Sequence, residues 1–200
     1  MLTKTVNIAV LVSGSGTNLQ AILDAQKSGI IKNGHVCLVI SNNKSAHALE
    51  RAKNAGVECA VFEKNAEFEQ NIISCLESHG IDLIVLAGFM CILSRDFTSR
   101  YPDRIINVHP SLIPSFCGKG FYGIHVHEAA LERGVKLTGA TVHFVNEIPD
   151  GGRIIAQKAV KVRDNDTPET LQRRVMTQAE WIILPRAVEQ ISKEIMEAKS

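Results

Sequence analysis

This chain has almost no surplus charge. Its 22 Lys and Arg stand against 21 Asp and Glu, for a formal net charge of +1. A balance that close excludes the broad basic face that nucleic acid or an anionic membrane surface selects. Neither is expected as a partner, and any anionic ligand has to be held by local groups. No apolar run approaches the roughly 20 residues of a membrane-spanning helix. Met1-Leu2-Thr3-Lys4-Thr5 leads straight into a strand-like run, without the apolar stretch and cleavage site of a secretory signal. Paired cysteines are missing too: the five (37, 59, 75, 91, 117) are widely spaced, odd in number and contain no CxxC. Cys37, Cys59 and Cys75 sit inside apolar patterns as small hydrophobes. That usage belongs to a reducing compartment, so the cytoplasm is the expected location. The sequence shows no internal repeat and no low-complexity linker.

What is present is an ordinary globular composition, 45% hydrophobic and 22% charged. Two hundred residues suit a single domain over 1–200, large enough to bury roughly 70% of its unfolded surface. Val6 to Val12 is a near-continuous β run, as for a strand buried on both faces. Ser13-Gly14-Ser15-Gly16-Thr17-Asn18 follows, then a helix with Leu19, Ile22 and Leu23 on one face, closed by Gly29. Further strands are expected at 36–40, 57–62 and 81–87. Helices are expected at about 45–55, 66–78 and 94–100. This β-α alternation describes an open, doubly wound, mostly parallel α/β sheet with right-handed crossovers.

The next strand, Ile105-Ile106-Asn107-Val108-His109, stops against Pro110. Alternate side chains share a strand face, so Asn107 and His109 point the same way. Proline cannot extend a central strand. The pair therefore stands at the carboxyl end of a strand, where open α/β sheets bind ligands. Beyond Pro114, residues 116–123 hold three glycines and read as a shaped loop. A helix at about 125–133 and β runs at 138–146 and 153–162 follow, a C-terminal hairpin with a long connection at 147–152. Thr167-Pro168-Glu169 opens a long helix running to the end, which Pro185 should kink or divide.

Three groupings carry chemistry. The loop at 13–18 aims backbone N–H groups at whatever sits over the helix N-terminus. A dinucleotide fails there, because Leu19 replaces the third glycine and no acid ends the second strand. A triphosphate fails for want of Gly-Lys-Ser/Thr. A single phosphate or other small anion fits better; the plain alternative is a tight turn without a ligand. The second grouping is Asn107, His109 and Asp150, each of which taken singly has a structural explanation. Together an amide and an imidazole could stabilise an oxyanion, and a carboxylate should lift the imidazole's pKa above roughly 6.5. With no serine elbow or reactive cysteine setting, this suits acyl-type transfer by direct attack of a substrate amine. The third, His125, His127 and His143, lacks a recognisable metal-ligand spacing; no metal is expected.

Ser13-Gly-Ser-Gly-Thr-Asn-Leu-Gln, Leu86-Ala-Gly-Phe-Met, Asn107-Val-His-Pro-Ser-Leu-Ile-Pro, Gly139-Ala-Thr-Val-His-Phe-Val and Asp150-Gly-Gly together resemble the phosphoribosylglycinamide formyltransferases. These are folate-dependent enzymes of purine synthesis, and the likeness runs from about residue 6 to 188. It implies a Rossmann-like formyltransferase fold, with a phosphate-binding half to about residue 100 and a catalytic and folate half beyond. It implies 10-formyltetrahydrofolate as co-substrate and glycinamide ribonucleotide as formyl acceptor, in a monomer or homodimer. Gly16, Thr17 and Asn18 match the loop holding the ribose phosphate. Met90, Cys91, Ile92 and Leu93 match the segment holding the pterin, with Asn107 also facing folate. Asn107, His109 and Asp150 match the catalytic trio, and Glu180 a carboxylate that contacts the ribonucleotide. Position 91 is Cys where many relatives have Arg, and Glu180 lies six residues after Arg174, one more than in many relatives. A related deformylase would need an extra N-terminal domain, for which a core starting at residue 6 leaves no room. A methionyl-tRNA formyltransferase would need a further C-terminal domain and a basic surface. A silent nucleotide-binding module would not need the trio intact.

Overall fold

The computed structural model describes residues 5–199. The reading of the N-terminus as free of a secretory leader rests partly on the first four residues, which lie outside that range. The apolar runs become strands β1 (Val6–Val12), β2 (Gly34–Ser41), β3 (Glu58–Val61), β4 (Leu83–Leu86) and β5 (Ile105–His109), then β6 (Leu137–Phe144) and β7 (Ile154–Lys161). Between them stand α1 (Thr17–Lys27), α2 (His47–Asn54), α3 (Phe68–Ser78), α4 (Arg95–Arg100) and α5 (Ile124–Arg133). All seven strands form one sheet in the order β3-β2-β1-β4-β5-β6-β7. The first five are parallel, and β6 and β7 run antiparallel. The doubly wound, mostly parallel sheet with a C-terminal hairpin is thus observed.

Both faces of the sheet are covered, which is why β1 and β4 are apolar on consecutive residues. Leu19 and Ile22 of α1, Ala48 and Leu49 of α2 and Ala130 of α5 pack on one face with Val10, Val85 and Ile106. Phe68, Ile72 and Leu76 of α3 and Phe97 of α4 pack on the other with Leu11, Ile84 and Ile105. The chain changes face after β3, so the winding reverses between β1 and β4. That switch point leaves a crevice at the strands' carboxyl ends.

Two expectations shift. The third helix begins at Phe68 instead of 66, because the Asn65 side chain accepts the Glu67 N–H and holds a turn there. The C-terminal helix is divided, but not at Pro185. It comprises α6 (Pro168–Val175), a π-helical segment (Met176–Glu180) and α7 (Trp181–Ala198), and Pro185 lies inside α7. A proline ring crowds the carbonyl four residues before it. That carbonyl belongs to Trp181, the first residue of α7, and the widened π turn lies immediately before it. No helix among the described residues is long and apolar enough to cross a membrane.

Candidate active site

The site grows from the carboxyl ends of β1, β4 and β5. At the end of β1, Gly16 caps α1 with φ +71°. A Cβ there would stand 2.7 Å from the Ala48 Cα, so only glycine lets the loop lie against α2. The Ala48 N–H donates to the Gly14 carbonyl at 3.0 Å and closes that contact. The first N–H groups of α1 lack intrahelical acceptors. Thr17 Oγ1 lies 3.9 Å from Met176 Sδ. Asn18 turns inward: its Nδ2 donates to Glu180 Oε2 at 2.7 Å, and its Oδ1 has no partner among the described residues.

Glu180 reaches Asn18 from the π-helical segment. A π turn takes up one residue more than an α turn, and from it the Glu180 carboxylate comes to the α1 N-terminus. It is nearly fully buried, and burial pushes its pKa up to about 7 against the opposing hydrogen bond from Asn18.

The β4 exit is tied to the β1 turn. The Met90 N–H donates to Ser13 Oγ at 2.8 Å, and the Ser13 N–H to the Gly88 carbonyl at 3.1 Å. Asn42, at the end of β2, donates from Nδ2 to Cys91 Sγ at 3.1 Å. Leu93 is buried in the core, whereas Met90 and Ile92 expose their apolar side chains, Ile92 by 74%. Of this segment, then, two apolar side chains face outward.

On β5 the pleat does what alternation requires. Ile106 and Val108 enter one core, and Asn107 and His109 share the opposite face. Their antiparallel partners on β6 are His143 and Thr141. Asn107 Nδ2 stands 3.1 Å from His143 Nε2. Thr141 Oγ1 donates to the Ser111 carbonyl at 2.7 Å and accepts the Ile113 N–H at 3.1 Å, so it fixes the turn after Pro110. The Ile113–Pro114 peptide in that turn is cis.

Asp150 joins this face from the β6–β7 loop, with φ +56°. Its Oδ2 accepts the Gly118 N–H at 2.8 Å and lies 3.5 Å from His109 Nδ1. Its Oδ1 lies 3.5 Å from His143 Nε2. His109 Nε2 donates to the Phe116 carbonyl at 2.8 Å. The glycine-rich loop at 116–123 thus grips both members of the pair. Burial raises the Asp150 carboxyl, but the hydrogen-bond donors around it, the Gly118 N–H among them, bring it below the ordinary carboxylate value.

The expectation for His109 is overturned. Asp150 does favour the charged ring, as does the Phe116 carbonyl, but burial outweighs both and lowers the imidazole's pKa. At 4% exposure the ring loses more solvation than a carboxylate 3.5 Å away restores. His109 is neutral at neutral pH. Cys117, next to the same loop, has its thiol pushed up by burial and by the charge of Asp150, which disfavours a thiolate nucleophile.

The three other histidines do not assemble. His125 is exposed and paired with Glu128 at 2.8 Å. His127 is fully buried, with neither ring nitrogen partnered among the described residues, and burial with the nearby His109 lowers its pKa to about 4. Among the described residues no group of three or more His, Cys, Asp or Glu is arranged around a metal. Sequence reasoning reads His143 as a buried, hydrogen-bonded strand residue, as found, but misses its place beside Asn107 and the parts played by Thr141 and the 116–118 backbone. The available signal was that β6 alternates Thr141 and His143 as β5 alternates His109 and Asn107.

Comparison with known proteins agrees with the geometry. Residues 6–188 match the family model described as formyl transferase. The chain is 42% identical over 187 residues to the phosphoribosylglycinamide formyltransferase of Escherichia coli, covering 91% of this chain and 85% of that one. It is 41% identical to the chloroplastic phosphoribosylglycinamide formyltransferase of Arabidopsis thaliana, covering 84% of this chain. It spans 60% of that plant protein's length, and 18% or 19% of larger animal purine-biosynthetic proteins it also matches. Among solved structures, glycinamide ribonucleotide transformylase 1 from Symbiobacterium toebii superposes with a TM-score of 0.88 at 41% identity, covering 95% of this chain and 89% of that one.

Proposed function

The chain belongs to the formyl transferase family, and on that footing we propose that it carries the formyl group of 10-formyltetrahydrofolate to the amine of 5'-phosphoribosylglycinamide. The products are the N-formyl ribonucleotide and tetrahydrofolate, in de novo purine synthesis. The observation that carries this reading is the meeting of Asn107, His109 and Asp150 at the end of β5, with Asp150 Oδ2 3.5 Å from His109 Nδ1.

The ribose phosphate sits on the N–H groups of Gly16, Thr17 and Asn18, where a helix N-terminus favours an anion. Glu180 contacts the rest of the ribonucleotide. The folate's flat ring suits the exposed Met90 and Ile92, with the backbone of 91–93 to hold its polar edge. The phosphate-binding half extends to about residue 100 and the catalytic half follows, with Glu180 returning from the second half to the first. Folate acts as co-substrate, and no metal enters the reaction.

The folate supplies an electrophilic formyl carbon. Asn107 gives an N–H to the formyl oxygen as negative charge develops there. The attacking amine nitrogen becomes positive and must lose a proton. With Nε2 donating to the Phe116 carbonyl, neutral His109 can take up a proton only at Nδ1, on the Asp150 side, where the carboxylate stabilises the imidazolium that results. Its charge then adds to the stabilisation of the oxyanion. The new C–N bond forms, the bond from carbon to the folate nitrogen breaks, and the proton ends on that leaving nitrogen.

Release of tetrahydrofolate measured with and without the ribonucleotide tests the reading. Turnover that requires the ribonucleotide is expected. Equal turnover with water alone would make the chain a deformylase, and no turnover would leave a binding module.

A further inference from the structure

His143 is buried to 1% exposure, lies directly across from Asn107 in the β5–β6 pairing and has no part in the reaction described above. Its two ring nitrogens meet different demands. Nδ1 lies 2.8 Å from the Phe144 carbonyl, which can only accept, so Nδ1 carries a hydrogen. Nε2 has two neighbours: Asn107 Nδ2 at 3.1 Å and Asp150 Oδ1 at 3.5 Å. One nitrogen cannot accept from an amide N–H and donate to a carboxylate at once. The 3.1 Å contact is within hydrogen-bonding range, and 3.5 Å lies beyond the ordinary N–H···O range. With Nδ1 already the donor, a neutral ring leaves a lone pair on Nε2, and that lone pair demands the nitrogen end of the Asn107 amide.

We infer that His143 is a positioning residue: as the neutral Nδ1–H tautomer, it fixes the orientation of the Asn107 amide. One Asn107 Nδ2 hydrogen is spent on His143, and the other remains for the substrate. An amide turned over would present a lone-pair oxygen where the formyl oxygen gathers negative charge. A protonated His143 would force that flip, because Nε2–H would then require the Asn107 oxygen or the Asp150 carboxylate. The Phe144 carbonyl and the antiparallel register of β6 hold the ring in place, so the amide's choice is made before substrate arrives. This rests on the functional reading above for its kinetic consequence, but not for the tautomer.

The test has two arms. Nitrogen NMR of ring-labelled histidine in the whole protein should show His143 protonated at Nδ1 and bare at Nε2 at pH 7. A proton on Nε2 overturns the inference even in an active enzyme. In the kinetic arm, His143→Leu removes the acceptor and should lower kcat roughly 30-fold or more, with KM for both substrates within about twofold. His143→Gln places an amide oxygen near the lost Nε2 and should recover most of that loss. In an Asn107→Ala background His143→Leu should have almost no further effect, because the two act as one unit. A full additional loss there overturns the inference. Should His143→Leu fail to fold, the glutamine variant and the NMR measurement still decide. Absence of turnover in the unaltered protein would fail the functional reading and leave the tautomer to be judged by NMR.

Discussion

Asn18 and Glu180 are 162 positions apart in sequence and 2.7 Å apart in space, joined by a buried hydrogen bond. The contact ties the first helix to the π-helical segment, and it has a titration consequence. Burial raises the Glu180 pKa to about 7. A carboxyl with a raised folded pKa is ionised more readily in the unfolded chain, so it removes stability as pH climbs from its unfolded value near 4.5 through 7.

Glu180→Gln keeps the shape and removes that ionisation. Going from pH 5 to pH 8, the variant should gain about 2 kcal/mol of stability relative to the unaltered protein. Urea unfolding at the two pH values measures it. Affinity for the ribonucleotide should fall in the same variant, read by titration calorimetry. A stability difference that does not change with pH would remove the buried carboxyl from this account.

The charge of His109 gives a second outcome. Burial lowers its pKa and Asp150 opposes that, so the neutral form dominates at pH 7 and protonation comes only on acidification. If the neutral ring takes part in removing the amine's proton, kcat/KM should be flat from pH 7 to 8 and fall only on acidification past the ordinary imidazole range. A profile that rises on acidification would reverse the assignment.

Asp150→Asn separates binding from chemistry. Turnover should drop by a factor of about 100 or more, since an imidazolium formed in the reaction loses its carboxylate. Binding of the ribonucleotide should change little, because its proposed contacts lie at α1 and Glu180. The His109 ring should titrate at still lower pH in the variant, by NMR, because the Asp150 charge that raises its pKa is gone. Near-normal turnover would sink the role given to Asp150.

Gly152 tests the loop that carries Asp150. A Cβ at this position would stand 1.7 Å from the Phe144 carbonyl oxygen, so the backbone must move to admit one. Gly152→Ala should cost about 2 kcal/mol or more and depress kcat as the loop drags Asp150 from His109. Gly14→Ala, where a Cβ meets nothing within 4 Å, should cost far less in thermal unfolding. Equal losses in the two variants would contradict the close-packing argument.

Much of this was legible before folding was considered. Unbroken apolar runs gave strands buried on both faces, and their alternation with helices gave the parallel sheet. Asn107 and His109 share a face because the pleat has a period of two and Pro110 ends the strand. These features depend on stereochemistry within a few residues, which the local sequence determines by itself. The tertiary structure decided what depends on distant neighbours. The C-terminal helix widens before Pro185, and Glu180 of that widened turn meets Asn18. Asp150 reaches His109 only because the 116–118 and 147–152 loops meet. His109 stays neutral although a carboxylate stands beside it, because desolvation is set by everything packed around the ring and no spacing of residues records it. His143 stands opposite Asn107 through a strand register that neither β5 nor β6 specifies alone.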